Sequence, residues 1–417
     1  MDKRVLTICL STDNIHGGYF YADLSLPAKG YEILDVYQKL RCSSRDDDPL
    51  VSELRCEILP ELSEVRLDAP TIKELDFFAR RLTALSDAEQ LALHGLFLRF
   101  LNDDMSDDLV TMKDLINMTY GLDQVIVAWN VGDDEALGQF VIENDLHQDV
   151  SAVPDEALYL LDKAAIGKHQ REIDSGVFIG GAYVATGNYE MPEEYDGITL
   201  PETEIESWFA FRLKVASSTG SMEDSAEWID LPIRRPAANR IAQTLGESCI
   251  ENCICCGFES SIPQITEQHF HDMKEFGKLN RLALMLAELD PADLMRFKAV
   301  LELESPTDMA GVMEAAHHHW DYSFADDLDD EDSYFKDYLR QHLPEGFDPE
   351  WLEDLSCQSE GNHLLRCLGG MVTDYGVIAG RGHNLYDLVP CRDAAREEVP
   401  DSDFDESEEP QFGGMQL

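Results

Sequence analysis

The densest set of reactive side chains in this 417-residue chain is a run of thiols, Cys249, Cys253, Cys255 and Cys256, with His269 and His271 downstream. Cys253 and Cys256 stand at CxxC spacing, the pattern of a zinc or redox centre. A zinc site of that kind normally carries a second matched ligand pair, and no further CxxC occurs in the sequence. In an extended run, alternation sends Cys253 and Cys255 to one face and Cys256 to the other, which splits the pair. The run therefore reads as small apolar strand residues, with metal or redox chemistry at Cys253 and Cys256 as the alternative. His317, His318 and His319 are adjacent on a predicted helix, so they point about 100° apart and do not chelate jointly. The acidic stretch DDLDDEDSYFKD lacks the glycine and glutamate that a calcium loop needs at its sixth and twelfth positions. Phosphate-loop, nucleophile-elbow, zincin and dinucleotide signatures are absent. Carboxylate pairs are so abundant that any chosen acid and base would be arbitrary. The expectation is a protein without catalytic residues, cofactor or resident metal.

The carboxylates matter as a population. Asp and Glu number 83 against 32 Lys and Arg, a net charge of −51, while hydrophobic residues still make up 44%. A wholly disordered acidic chain would be poorer in apolar residues, so a core is affordable here. Direct nucleic-acid binding, which relies on cations neutralising phosphates, is disfavoured over most of the surface, and the natural partner is basic. Acidic runs occur at Asp46, Asp47 and Asp48; at Asp103, Asp104, Asp107 and Asp108; at Asp133, Asp134 and Glu135; and at Asp326, Asp327, Asp329, Asp330, Glu331 and Asp332. Any single run reads as a solvated face. Their recurrence at loop and helix-start positions without matching basic blocks points the set toward function. A surface adapted to high salt is the rival explanation. No stretch approaches the roughly 18 to 20 uninterrupted apolar residues of a membrane span. The short apolar run Val5 to Leu10 is not a signal-peptide core, and the ten cysteines read as reduced thiols of a cytoplasmic protein.

An internal repeat supplies the elements that position these groups. Leu75, Phe78, Ala79, Leu82 and Leu85 mark one helical face, and Leu279, Leu282, Ala283, Leu286 and Leu289 repeat it at a constant shift of 204. Each helix stops and restarts alike, through a Ser86/Glu89 capping box in the first half and Asp290 followed by Pro291 in the second. Leu93, Leu96 and Phe97 then match Phe297, Val300 and Leu301. Upstream, Leu26, Pro27 and Leu40 fall on Leu231, Pro232 and Leu245, each segment a strand followed by a short helix. Downstream the shift becomes 194, and the alternating runs VFIGGAYVATG and MVTDYGVIAGRG predict two-stranded hairpins.

The predicted architecture is α+β, a tandem of two units. Each unit has a small antiparallel β/α start (residues 1–68 and 205–263), a helical middle (69–119 and 264–324) and a helix-plus-hairpin end (120–200 and 325–391). Residues 392–417 form a charge-rich tail too poor in apolar residues to pack, expected to be disordered.

At these residues the sequence resembles a known family, the ArdA-type antirestriction proteins of plasmids and conjugative transposons. The second half carries WIDLP, CICCGFESSIP, KLNRLALMLAEL, DDEDSYFKDYL, FDPEWLEDL and GVIAGRGHNLYDLV in order. The first half follows more loosely with SLP, KELDFFARRLTAL, GDDEALGQFVIEN, VPDEALYLLD and SGVFIGGAYV. The resemblance spans nearly all of residues 4 to 390. It implies an elongated, curved DNA mimic whose surface carboxylates imitate duplex phosphates and occupy the DNA groove of type I restriction-modification enzymes, in defence evasion by a mobile genetic element. The family's antirestriction segment corresponds to Val153–Glu172, with Asp155, Glu156 and Asp162, and to Phe347–Leu365, with Glu350, Glu353 and Asp354. The usual member is a single unit that pairs with itself through its last domain. The tandem leaves open whether the second unit replaces that pairing or whether the chain forms a homodimer as well. Charge density agrees with mimicry without the family name: at one charge per ≈1.7 Å of duplex, 51 charges correspond to roughly 85 to 90 Å, on the order of 25 base pairs.

Overall fold

The computed structural model describes residues 3–14, 18–42, 49–102, 109–147, 150, 153–201, 208–218, 226–344, 352 and 355–388. The fold is α+β, with twelve α-helices among these residues and several small sheets, most of them antiparallel. In the first half β1 (Leu6–Asp13), β2 (Tyr19–Leu26) and β3 (Leu50–Cys56) form a sheet in the order β2-β1-β3, with α1 (Gly30–Lys39) inserted before β3. Strand β2 alternates strictly: Phe20, Ala22, Leu24 and Leu26 are buried, while Tyr19, Tyr21, Asp23 and Ser25 face out. That period of two is what a half-buried strand requires. A short parallel pair, β4 (Arg66–Leu67) and β5 (Leu109–Val110), brackets the helical hairpin of α2 (Ile72–Ala84) and α3 (Asp87–Asn102), which leads into α4 (Met112–Met118). The end of this half comprises β6 (Ile126–Ala128), α5 (Asp134–Glu143), α6 (Lys163–Ile173), β7 (Val177–Ile179) and β8 (Ala182–Ala185), with sheet order β6-β8-β7.

The second half repeats the plan. Its opening sheet, β10-β9-β11, is built from β9 (Phe211–Ala216), β10 (Glu227–Leu231) and β11 (Ile254–Ser260), with α7 (Arg235–Thr244) between the last two. The helical part is α8 (Phe276–Leu286), α9 (Pro291–Glu304) and α10 (Met309–His318). The end is β12 (Phe324–Ala325), α11 (Glu331–His342), α12 (Gln358–Cys367), β13 (Met371–Thr373) and β14 (Gly376–Ile378), in sheet order β12-β14-β13. The correspondence extends to detail. Leu26–Pro27 and Leu231–Pro232 are both cis, and each opening sheet has a bulge at the same place on its third strand. The capping box at Ser86 and Glu89 forms, as does the Asp290 cap before Pro291.

Burial explains the spacing of apolar residues. Leu75, Phe78, Ala79 and Leu82 are buried in one core, and Leu279, Leu282, Ala283 and Leu286 occupy the matching place in a second core. Each end domain also brings two helices unusually close. A Cβ on Gly167 of α6 would lie 1.8 Å from the carbonyl oxygen of Asp134 on α5, and one on Gly361 of α12 would lie 1.9 Å from that of Glu331 on α11. Only glycine fits there.

The segment after the first half is held in place. Asn117 of α4 donates from Nδ2 to the Tyr195 carbonyl, and its Oδ1 accepts from the backbone amides of Glu194 and Tyr195. The Tyr195 hydroxyl donates to Glu74 at 2.8 Å.

The two halves then meet at a seam that is polar at its centre. Lys298 of α9, 2% exposed, donates from Nζ to Asp35 Oδ1 of α1 at 2.5 Å and to Gln38 Oε1 at 2.7 Å. Tyr375, in the β13–β14 turn and fully buried, donates to the same Asp35 oxygen at 2.7 Å. Around this centre Lys39 pairs with Asp374 at 2.8 Å, and Arg41 donates to the carbonyls of Asp326 and Asp374 while its guanidinium lies 4.8 Å from the Phe20 ring centroid. Asn14 donates to Asp329, and Tyr31 meets Phe209 edge-on at 5.5 Å. Burial pushes the Lys298 ammonium below its ordinary range against the opposing pull of Asp35, and burial likewise takes Arg41 down to about 10.

The close helix crossings make a directional prediction. Gly361→Ala destabilises the protein by about 3 kcal/mol, since backbone has to move. Gly277→Ala, on a helix with nothing within 4 Å of the added carbon, is neutral or stabilises by less than about 1 kcal/mol. Urea midpoints of the two variants against the native protein measure the difference.

Candidate anionic surface

The two described acidic runs open equivalent helices. Asp133 is the N-cap of α5 and accepts from the Ala136 amide at 2.8 Å; Asp330 is the N-cap of α11 and accepts from the Ser333 amide at 2.6 Å. A carboxylate at a helix start satisfies orphan amides and sits favourably at the positive end of the helix dipole. The chain thus gathers anions without a cation for each. Asp133 and Glu135 are exposed. Asp134 is half-buried, and the Arg171 guanidinium, 2.8 Å away, holds its carboxyl below the usual range. Asp162, the N-cap of α6, is exposed and accepts from the Ala165 amide. In the antiparallel crossing of α5 and α6, Asp162 and the Asp133–Glu135 cluster belong to one helix pair.

In the second half Asp326, Asp327 and Asp330 are exposed, while Asp329, Glu331 and Asp332 are partly covered. The intervening Leu328 is buried and anchors the run. Burial raises the Asp329 carboxyl above its ordinary value, and neighbouring Asp330 adds to this. Asp332 pairs with Lys336 at 2.7 Å and accepts from the Cys357 amide, contacts that lower its carboxyl despite some burial. This run is therefore surface and seam together: the Asp326 carbonyl and the Asp329 carboxylate are both held by the first half. Asp46, Asp47, Asp48, Asp103, Asp104, Asp107, Asp108, Glu350, Glu353 and Asp354 lie outside the described residues, as does the 392–417 tail. Asp155 and Glu156 fall in the short 3-10 turn Asp155–Leu160, and their side chains lie outside the description too.

Several of the scarce cations turn inward. Arg81 donates to the Thr119 carbonyl and stacks 4.0 Å from the Tyr120 ring centroid. Arg99 donates to the Thr186 carbonyl, and Arg212 to Asp230 while lying 4.3 Å over Phe209. With Lys298 and Arg41 at the seam, positive charge goes into the structure's joints.

The thiol run is strand only in part: Cys249 and Cys253 flank a 3-10 turn, Ile250–Asn252, and Cys255 and Cys256 lie on β11. Cys253 is buried, Cys255 intermediate and Cys256 exposed, with the bulge of β11 falling between Cys255 and Gly257. Cys256 is the bulged residue, and its thiol lies 3.4 Å from the Lys214 carbonyl on the central strand. Ser52 occupies the equivalent bulge of β3 and donates to the Cys9 carbonyl at 3.1 Å. The common role gives Cys256 a local backbone reason to be there. A cleft of about 510 Å³ runs beside Cys253, Cys255, Cys256 and His271. Among the described residues no three His, Cys, Asp or Glu side chains form a group able to hold a metal ion. His317 is exposed and His319 buried, so the histidine run diverges. No helix among the described residues is long and apolar enough to cross a membrane.

The seam residues Asp35, Gln38, Lys298 and Tyr375 were not singled out from sequence. One signal was present: Lys298 interrupts an otherwise apolar helix face between Phe297 and Val300.

Burial and nearby anions push the Cys253 thiol up to about 11, so at pH 8 it is on the order of 0.1% ionised. Among the described cysteines, timed alkylation at pH 8 followed by peptide mass analysis finds exposed Cys256 and Cys367 modified first, with Cys253 and Cys56 last. Comparison with protein-family models and with curated proteins finds no match for this chain.

Proposed function

We propose that this protein is a non-catalytic inhibitor that works as a DNA mimic, presenting carboxylates to the basic DNA groove of a type I restriction-modification enzyme in the cytoplasm. The observation that carries the reading is the repeated acidic helix start, Asp133–Glu135 on α5 and Asp330–Asp332 on α11, in the two halves of one chain. The mechanism needs no special carboxyl group. A groove evolved to gain by releasing counterions from phosphates gains in the same way from fixed carboxylates, and opposite fields steer the encounter. Inward-turned arginines support the reading, because they remove from the exterior the cations that would repel such a groove. The ArdA-like order of short sequence matches points to the same target class.

Competition against labelled duplex DNA for a purified type I enzyme tests the proposal. The protein displaces DNA, and its apparent affinity falls about tenfold or more as salt rises from roughly 50 to 200 mM. Indifference to salt, or no displacement at any salt, overturns it. A surface adapted only to high salt gives no displacement, and its fold is lost as salt is removed. Asp133→Asn/Glu135→Gln weakens displacement with the fold intact, because asparagine caps a helix as well as aspartate does. Circular dichroism monitors the fold in the same samples.

A further inference from the structure

The polar centre of the seam occurs once, although the units that meet there are repeats. Asp35 corresponds to Arg240, which is exposed on α7, and Lys298 corresponds to His94, which bonds Glu61 within its own half at 2.8 Å. Asp374 and Tyr375, at the tip of the β13–β14 hairpin, correspond to Gly180 and Gly181 at the tip of β7–β8, both exposed. Leu34 of α1, which lines the apolar cleft at the seam, corresponds to Asn239. So neither the charged centre nor its apolar rim is a requirement of the unit's own fold. They are found only where the first half's α1 meets the second half's α9 and hairpin turn.

The geometry at that point is directional. Asp35 Oδ1 accepts from both Lys298 and Tyr375, its Oδ2 lies 3.4 Å from Lys39, and Lys39 in turn reaches Asp374. Gln264 donates to Tyr375 and to Glu302, and Glu302 accepts from the Asp374 amide. Two elements of the second half, α9 and the β13–β14 turn, thus bond directly to one carboxylate of the first. An apolar contact tolerates sliding, whereas buried hydrogen-bonded charges lose their partners when displaced. The acidic run Asp326–Asp332 adjoins the same seam through Arg41 and Asn14.

We infer that the buried Asp35–Lys298–Tyr375 cluster is a positioning device that fixes one half against the other and thereby sets the spacing of the acidic clusters on the two halves. The part of this that concerns inhibition rests on the DNA-mimic reading; the part that concerns geometry does not. Replacing a buried ion pair by apolar residues of similar size often leaves stability unchanged, which separates positioning from stabilisation. The full-length double variant Asp35→Leu/Lys298→Met is therefore the decisive protein, and the single variant Lys298→Met, which leaves Asp35 with Lys39 and Tyr375, accompanies it.

Three readouts are taken on each protein: the thermal midpoint, the pair-distance distribution from small-angle X-ray scattering, and displacement of duplex DNA from a type I enzyme. The double variant keeps a midpoint near the native one, shows a broadened or shifted distance distribution, and displaces DNA about tenfold less well. Scattering that superimposes on the native curve overturns the inference. A double variant destabilised as much as the single one also overturns it, since the cluster then acts through stability alone. If the native protein displaces no DNA while the distance distribution still changes, the DNA-mimic reading fails and the positioning role stands.

Discussion

A chain with 83 carboxylates and 32 basic side chains folds against its own electrostatic repulsion, and the details of this structure follow from how that repulsion is managed. Carboxylates go to helix starts, where amides and the helix dipole favour them: Asp133, Asp162, Asp290, Asp308 and Asp330 are all N-caps. Some of the cations go to joints, where one positive group can hold several elements. Arg41, Arg81, Arg99 and Lys298 each bond groups far away in sequence. The apolar cores do the general work of holding each half together, while the few internal charges determine how the pieces are oriented.

The seam shows this division most clearly. Removing one partner of a buried pair of this kind typically costs about 3–5 kcal/mol, because it strands the other charge, yet the intact pair is worth little more than apolar packing. Its value is therefore directional. The halves retain the same fold but differ in their exposed faces, with Asp35 facing inward where Arg240 faces water and Tyr375 filling a turn that Gly181 leaves open. The chain carries two copies of one framework, and the joint lies on surfaces where the copies differ. On the proposed DNA-mimic reading such a joint matters, since a basic groove reads the spacing of charges and their number together.

The thiol cluster illustrates how a repeat arbitrates between chemistry and structure. By spacing alone Cys253 and Cys256 resemble half of a zinc site. In the fold Cys256 fills the bulge that Ser52 fills in the other half, and both side chains point at a carbonyl of the central strand. A small residue able to approach that carbonyl is sufficient explanation for the position.

Much of the framework was legible in the residues themselves. Periods of 3.6 and 2, caps at Ser86 and Asp290, and constant shifts between matched leucines determine helices, strands and the twofold repetition, because these are local consequences of backbone geometry and burial. The excess of carboxylates, and hence the sign of any partner, follows from composition. The tertiary structure alone decided which face of each unit is covered. It brought Asp35 to Lys298, 263 positions apart, and made part of the Asp326–Asp332 run a contact between halves. Local sequence carries no information about which distant surface arrives opposite a given side chain. That depends on the summed fit of whole faces, which exists only once both halves have folded.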